Sequence, residues 1–372
     1  MRWSAIADPT GNINPCNNQT LLNRYNNSSN EKYVMKKWIR SVLFLFLICG
    51  ISPTCGAAEA EVKPLRAGII GLDTSHVIAF TKILNATDVK PELAGCRVVA
   101  AYPQGSPDIE SSTSRIPKYT EQIQELGVEI VDSIETLLTK VGVVFLETND
   151  GRPHWKQARK VLRAGKPVFI DKPVAGSLRD AIAIYEEARR LKVPMFSCSS
   201  LRFSREVVKM REGAVGKIIG CDAFSPCPLE PTHPDLFWYG IHGVETLFTV
   251  MGPGCKSVVR VKTDGSDVVV GKWEDGRIGT FRGIRASRRG NGGTAFGTKG
   301  IQTFGRPDRF EPMLIEIIKF FRSGKPPVTA EETLEIYAFM EAADESWEKG
   351  GIPVSLDQIM KRSQKEARQL LK

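Results

Sequence analysis

Histidine is scarce in this chain of 372 residues, with only four copies, and no two cysteines stand in C-x-x-C spacing. A zinc site of closely spaced cysteines and histidines is therefore not indicated, and the sequence displays no metal ligand set. Three of the eight cysteines, Cys16, Cys49 and Cys55, fall before residue 60. The other five, Cys96, Cys198, Cys221, Cys227 and Cys255, are an odd number without framework spacing. Cys96, Cys198 and Cys221 sit in strand-like apolar runs and read as small buried hydrophobes. Long apolar runs are missing too: none approaches the roughly 20 residues of a membrane-spanning helix. What is present, 42% hydrophobic and 25% charged residues, is ordinary for a folded globular protein. That argues against disorder, a collagen-like rod or a polytopic membrane protein. The net charge of +9 is partly local, since residues 1–60 hold six Lys/Arg against three Asp/Glu. Over the remainder the basic excess is mild, and Arg282, Arg285, Arg288 and Arg289 form its densest cluster. A solvated strand end or an anion site explains that cluster better than a DNA-reading helix, so no nucleic-acid partner is expected.

The first sixty residues read as lying outside the fold. Residues 1–34 are polar and asparagine-rich with no apolar periodicity, the texture of a mis-called or disordered extension, and Met35 is the expected start. Positive residues from Met35 to Arg40 precede an apolar run from Ser41 to Ile51, and small residues follow at Cys55–Ala60. This is the pattern of a secretory signal peptide over 35–60, with cleavage expected between Cys55 and Glu61. The expected destination is periplasmic or extracellular, with no stable membrane insertion after cleavage.

From residue 62 strands and helices alternate, which predicts an α/β domain over 62–200 with a parallel sheet between helix layers. Strands are expected at 65–71, 96–102, 130–131, 143–147, 167–171 and 195–198. Helices are expected at about 74–86, from Asp132-Ser133-Ile134-Glu135 through Leu138, at 155–164 (closed by Gly165), and at about 178–191. After residue 205, β-branched runs at 218–224, 258–261, 268–273 and 278–284 predict an antiparallel or mixed sheet in a second domain over 201–372. Two helices, about 311–322 and 331–348, are expected to close it.

The turn after the first strand is where a dinucleotide fold places G-x-G-x-x-G, so that bare backbone and a helix N-terminus approach the pyrophosphate. Here it reads Gly71-Leu72-Asp73-Thr74-Ser75-His76. Only the first glycine is kept, and the Asp73 charge would oppose a phosphate. Asp73, Thr74 or Ser75 could equally cap the helix. At the end of the second strand, Tyr102-Pro103-Gln104-Gly105 replaces the acid that would hold a ribose.

The fifth strand carries a lysine at its carboxyl end, the edge where α/β folds bind ligands. Asp171-Lys172-Pro173, preceded by Ala164-Gly165-Lys166-Pro167-Val168, resembles the E-K-P signature of the Gfo/Idh/MocA oxidoreductases. The resemblance runs from about residue 65 to residue 360, taking in Pro153-His154, Arg202-Phe203 and Gly213-x-x-Gly216. It implies an N-terminal Rossmann-type doubly wound sheet and a C-terminal α+β domain on a large, open, mostly antiparallel sheet. In Phe237-Trp238-Tyr239-Gly240-Ile241-His242, His242 matches the family's proton-transfer histidine, while Trp238 stands where the family has aspartate. The missing role is open to Glu245 or Tyr239. The resemblance thus implies Lys172 and His242 as catalytic residues. It implies cofactor contacts at Gly71, Asp73, Thr74, Ser75, His76 and Asp171, and substrate contacts at His154, Arg202, Tyr239 and Glu245. Of the four histidines, all but His233 are expected near one cleft.

The resemblance implies an oxidoreductase using NAD or NADP on a small-molecule sugar, cyclitol or related polyol, with self-association through the C-terminal sheet. Removing a carbinol proton as hydride leaves requires a base near neutrality, which histidine provides. A lysine on the same oxygen would stabilise developing negative charge. Two other readings fit the same residues. One is an exported, non-redox carbohydrate-binding protein that keeps the fold. The other is an NAD-assisted glycoside lyase or hydrolase that recycles its cofactor within each turnover. Fold alone does not choose among them.

Overall fold

The computed structural model describes residues 64–286, 290–305 and 308–372. The extension 1–34, the signal-like segment 35–60, Arg288 and Arg289 lie outside the described residues.

The first part of the chain runs β1 (Leu65–Ile70), α1 (Ser75–Leu84), β2 (Cys96–Tyr102), α2 (Glu110–Thr113), α3 (Ile116–Glu125), β3 (Glu129–Ile130), α4 (Ile134–Lys140), β4 (Val143–Leu146), α5 (His154–Arg163), β5 (Val168–Asp171), α6 (Leu178–Leu191) and β6 (Met195–Cys198). Its six strands form one parallel sheet in the order β3-β2-β1-β4-β5-β6. Every residue of β4, β5 and β6 is buried. Strands covered on both faces read as unbroken apolar runs, which is why these three stand out in the sequence. The Ser133 hydroxyl accepts from Thr136 N at 3.1 Å and caps α4, as the Asp132–Glu135 signal predicts. The strand order reverses between β1 and β4, so the ligand crevice opens at their carboxyl ends.

The second part runs α7 (Arg205–Arg211), β7 (Ile218–Pro226), α8 (Asp235–Trp238), α9 (Ile241–Met251), β8 (Cys255–Lys262), β9 (Ser266–Trp273), β10 (Ile278–Ile284), β11 (Gly292–Gly297), β12 (Gly300–Phe304), α10 (Glu311–Ser323), α11 (Ala330–Glu348), β13 (Val354–Ser355) and α12 (Leu356–Leu370). Seven strands form a sheet in the order β12-β11-β7-β10-β9-β8-β13, antiparallel except where β7 pairs with β10. One face packs on α9, which is buried at almost every position.

Three differences from the sequence expectation have physical causes. Helices α2 and α3 carry almost no apolar stripe, since Ile123 is the buried residue of α3, so they escape a periodicity search. Strand β11 (Gly-Gly-Thr-Ala-Phe-Gly) lacks side chains where it presses on β7; a Cβ on Gly293 would stand 2.3 Å from the Asp222 carbonyl oxygen. Helix α12 adds a third helix at the end, packed on α6.

The packing also crosses the boundary expected at residue 200. Helix α10 returns to the first sheet, where Phe320 meets Phe196 edge-on at 4.8 Å and Phe321 meets Phe145 at 5.3 Å. Helix α11 joins in through Tyr337, whose hydroxyl oxygen accepts from Val174 N at 2.5 Å. Residues after 310 therefore complete the layer that supports the β5 exit.

Candidate active site

Gly71 leaves β1 at φ +93°, and a Cβ there would stand 2.4 Å from Thr148 N, just past β4. Only glycine allows the two strand exits to approach so closely. Asp73 then turns inward and is wholly buried. Its Oδ1 accepts from Asn149 N at 2.9 Å and its Oδ2 from Ser112 Oγ at 2.7 Å, while Arg115 donates to its carbonyl at 3.1 Å. Burial pushes the Asp73 carboxyl above its ordinary range, against the pull of these bonds. The side chain is thus neither a helix cap nor turned out toward a phosphate position. Thr74 holds the N-cap of α1, with no side-chain capping bond.

The surrounding residues fit a dinucleotide. Thr74 Oγ1 and Gln104 Oε1 are buried without hydrogen-bond partners, one at the start of α1 and the other just beyond β2. An uncapped helix N-terminus with an idle hydroxyl suits the phosphates, and the Gln104 amide stands where an acid is more usual for a ribose. A cleft of about 290 Å3 lies alongside, lined among others by Ser111, Arg115, Asn149, Pro228, Trp238 and Tyr239. Arg115 brings to it the positive charge that the Asp73 loop lacks.

At the exit of β5 the side chains converge. Lys172, joined to Pro173 by a cis peptide, is 5% exposed; its Nζ lies 3.7 Å from Asp171 Oδ2 and 5.8 Å from the centre of the Tyr239 ring. His76, in the first turn of α1, places Nδ1 3.0 Å from Asp171 Oδ2 and 3.8 Å from Glu147 Oε2. Its ring stacks on Phe80 at 5.4 Å and meets Phe310 edge-on at 4.6 Å, so its direction is held by packing. Burial alone would push Asp171 up, yet the charges of His76 and Lys172 beside it hold its carboxyl below the usual range. For Glu147 the pull of the Lys172 charge is outweighed. Burial, and then Asp171, push it well above the ordinary value, and neither of its carboxylate oxygens has a hydrogen-bond partner. From the second part of the chain, α9 brings His242, with Nδ1 2.7 Å from Ser199 Oγ and its ring 5.6 Å from that of Tyr239. Burial first, then Lys172, push His242 down to about 3.

Residues 65–198 match the family model described as the oxidoreductase family with an NAD-binding Rossmann fold, Gfo/Idh/MocA. That match covers the first sheet and its helices, from β1 to β6. Solved structures share the fold over most of the chain. A "probable dehydrogenase" from Thermotoga maritima is 22% identical, with a TM-score of 0.64 over 79% of this chain and 100% of its own. GenD2 from gentamicin A biosynthesis, solved with NAD, is 17% identical, with a TM-score of 0.64 over 79% of this chain and 97% of its own. The scyllo-inositol dehydrogenase of Lactobacillus casei, solved with NAD(H) and scyllo-inositol, is 17% identical, with a TM-score of 0.64 over 79% of this chain and 100% of its own. No curated protein matches the chain in sequence.

Lys172, His242, Tyr239, His76 and Asp171 come together, and Gly71, Thr74 and Ser75 lie along the loop beside them. Three expected substrate contacts are turned into the protein instead. His154 is wholly buried, with Nε2 2.8 Å from the Thr148 carbonyl oxygen and Nδ1 3.3 Å from that of Val174, so it clamps the exits of β4 and β5. Arg202 is spent internally on Glu245 and Glu332, each at 2.7 Å. Glu245 also accepts from Ser199 N at 2.7 Å, which makes it a brace for Ser199 rather than a cleft-facing acid. His233, expected away from the cleft, packs instead against Asp150 in the loop after β4.

Sequence reasoning missed Glu147, Arg115, Asn149 and Asp150. Glu147 offered a signal: an acid ending the apolar run Val143-Val144-Phe145-Leu146, at the strand edge where ligands bind. Arg115 offered none, because α2 and α3 went unrecognised.

Proposed function

We propose that this chain is an NAD(P)-dependent oxidoreductase that moves a hydride to or from a sugar, cyclitol or related polyol, with Lys172 and His242 handling the proton. The observation that carries this reading is the meeting of Lys172 at the β5 exit and His242 at the start of α9 around one aromatic ring, Tyr239, which also lines the cleft. The scyllo-inositol dehydrogenase that shares the fold, solved with NAD(H) and scyllo-inositol, supports the substrate class.

When bound, the nicotinamide ring supplies the hydride acceptor or donor. The chain's own residues do the rest. Thr74, Ser75, Gln104 and Arg115 would hold the dinucleotide. The Lys172 side chain donates a hydrogen bond to the reacting oxygen and steadies its negative charge as the proton leaves. Ser199 fixes His242: its Oγ already accepts from Leu201 N at 3.2 Å and can accept from His242 Nδ1 as well, leaving Nε2 with a lone pair for a proton. Burial and the Lys172 charge keep that ring neutral, with its lone pair free, before substrate arrives; the same depression makes it a weaker base than a free imidazole, so Lys172 has to stabilise the substrate oxygen as its proton leaves.

Export of the mature protein through the segment 35–60 belongs to the same proposal. So does self-association through the uncovered face of the second sheet, where Val270, Ile278 and Ile301 stand exposed. The deciding experiment is to purify the mature chain, look for nicotinamide absorbance, and titrate NAD and NADP by calorimetry. Turnover is then screened against cyclitols and sugars. Binding of neither nucleotide would reject the oxidoreductase and leave the non-redox binding protein in its place.

A further inference from the structure

The most demanding feature of the molecule lies among His76, Glu147 and Asp171. Glu147 is completely enclosed and Asp171 is 1% exposed, yet none of their four carboxylate oxygens has a hydrogen-bond partner. A buried carboxylate without partners is costly unless it is protonated or bound to a cation. Lys172 approaches Asp171 at 3.7 Å, but donates a hydrogen bond to neither acid. His76 points Nδ1 at both, likewise without a hydrogen bond, and its ring is fixed by Phe80 and Phe310.

The spacing suits ligands of one ion as well as it suits an ion pair. Nitrogen and oxygen donors sit about 2.0–2.2 Å from a zinc-like ion, so two donors on one ion stand roughly 3–4.2 Å apart as their angle opens. From His76 Nδ1 the observed separations are 3.0 Å to Asp171 and 3.8 Å to Glu147, and the three donor atoms all lie within 4.8 Å of one another. The donors come from α1 and from the exits of β4 and β5, which is why no short spacing in the sequence gives them away.

We propose that His76 Nδ1, Glu147 and Asp171 bind a divalent first-row transition ion of the manganese, iron or zinc class. One imidazole and two carboxylates, with no thiolate, match these ions better than copper(I) or an iron–sulfur cluster. The ion neutralises the two acids and fills the space that their oxygens leave unanswered. Three protein donors leave coordination open, as in zinc sites that take a water or substrate oxygen in the free position. Resting on the oxidoreductase reading, the open position takes a hydroxyl or carbonyl oxygen of the polyol next to Lys172.

The test uses the full mature chain, stripped with a chelator and titrated calorimetrically with Mn2+ and, separately, Zn2+. One ion per chain is expected, with affinity falling at least tenfold in Glu147→Gln and in His76→Ala, since even loss of an outer partner of a metal ligand costs about tenfold or more. Circular dichroism checks that both variants fold. Pulsed electron paramagnetic resonance of the Mn2+-loaded wild-type protein should show coupling to an imidazole nitrogen, a readout that needs no variant. Absence of binding by either ion, binding that both folded variants retain, or Mn2+ without nitrogen coupling each overturns the site. NAD is titrated in parallel on the same preparations. NAD binding without metal binding defeats this inference and spares the oxidoreductase, whereas metal binding without NAD does the reverse.

Discussion

His233 Nε2 lies 3.0 Å from Asp150 Oδ1, with both side chains shut off from solvent. The contact fastens the segment after β7 to the loop after β4, closing one side of the cleft between the two sheets. Asp150 is the hub of this closure. It accepts from Ser106 Oγ at 2.5 Å and from Arg152, which reaches on to Asp108 at 2.8 Å. Burial alone would raise the Asp150 carboxyl, but His233, Arg152 and Ser106 hold it far below the ordinary range.

The pH dependence of stability follows from that depression. An unfolded aspartate takes up its proton near pH 4, while the folded Asp150 refuses it until much lower pH. Its contribution is therefore complete above about pH 4 and is lost as the pH falls from there through the folded value. Asp150→Asn should cost about 3 kcal/mol at neutral pH, the scale of a buried pair that loses one partner. The gap between variant and wild type should narrow steadily below pH 4. Urea denaturation from pH 7 to pH 3 measures it; a gap independent of pH would show that Asp150 gains nothing from its charge.

Asp73 yields a different expectation from its sequence context. On sequence alone, glycine at 73 should tighten NAD binding by removing a charge beside the phosphates. In the structure that carboxylate satisfies the Asn149 amide and the Ser112 hydroxyl. Asp73→Gly should therefore lower stability by about 1–3 kcal/mol, the cost of leaving buried partners unmet. It should not strengthen NAD binding. Calorimetry and denaturation of the same preparation separate the two effects, and tighter binding with unchanged stability would restore the repulsion argument.

The frame of the first sheet was readable because its strands are covered on both faces and its helices carry clear stripes. β2, β6 and α6 begin and end where the sequence places them. The site was readable only in part. Lys172 and His242 carry a family pattern, but burial is a property of the fold, and burial is what turns His154, Arg202 and Glu245 from substrate contacts into internal braces. Glu147 and His76 are more than seventy positions apart, so only the sheet order makes them neighbours. The C-terminal helices were recognisable as helices, but nothing in their periodicity says that α10 returns to the first sheet.

Arg115 should matter to the cofactor and little to the fold. Its guanidinium reaches the Asp73 carbonyl and lines the cleft where phosphates would lie. Arg115→Ala should weaken NAD binding about tenfold, or about 1.4 kcal/mol, the lower range of a hydrogen bond to a charged group. The effect should shrink at high salt, because half-exposed charges are screened. Titration at two ionic strengths checks both parts; unchanged affinity at low salt would place the phosphates away from Arg115.

Lys172 and His242 approach Tyr239 from the two parts of the chain, so each can be altered without touching the other's element. Lys172→Ala and His242→Ala should each lower turnover by a hundredfold or more, the usual scale for loss of a proton-transfer group. Thermal unfolding should change far less. The double variant should be little worse than the more damaged single one if the two act on the same substrate oxygen, since groups that work as a unit are not additive. Steady-state kinetics on the first substrate found by the cyclitol screen decides the matter. Activity within about threefold of wild type in either single variant removes that residue from the mechanism. Full additivity in the double variant would mean that Lys172 and His242 serve separate steps.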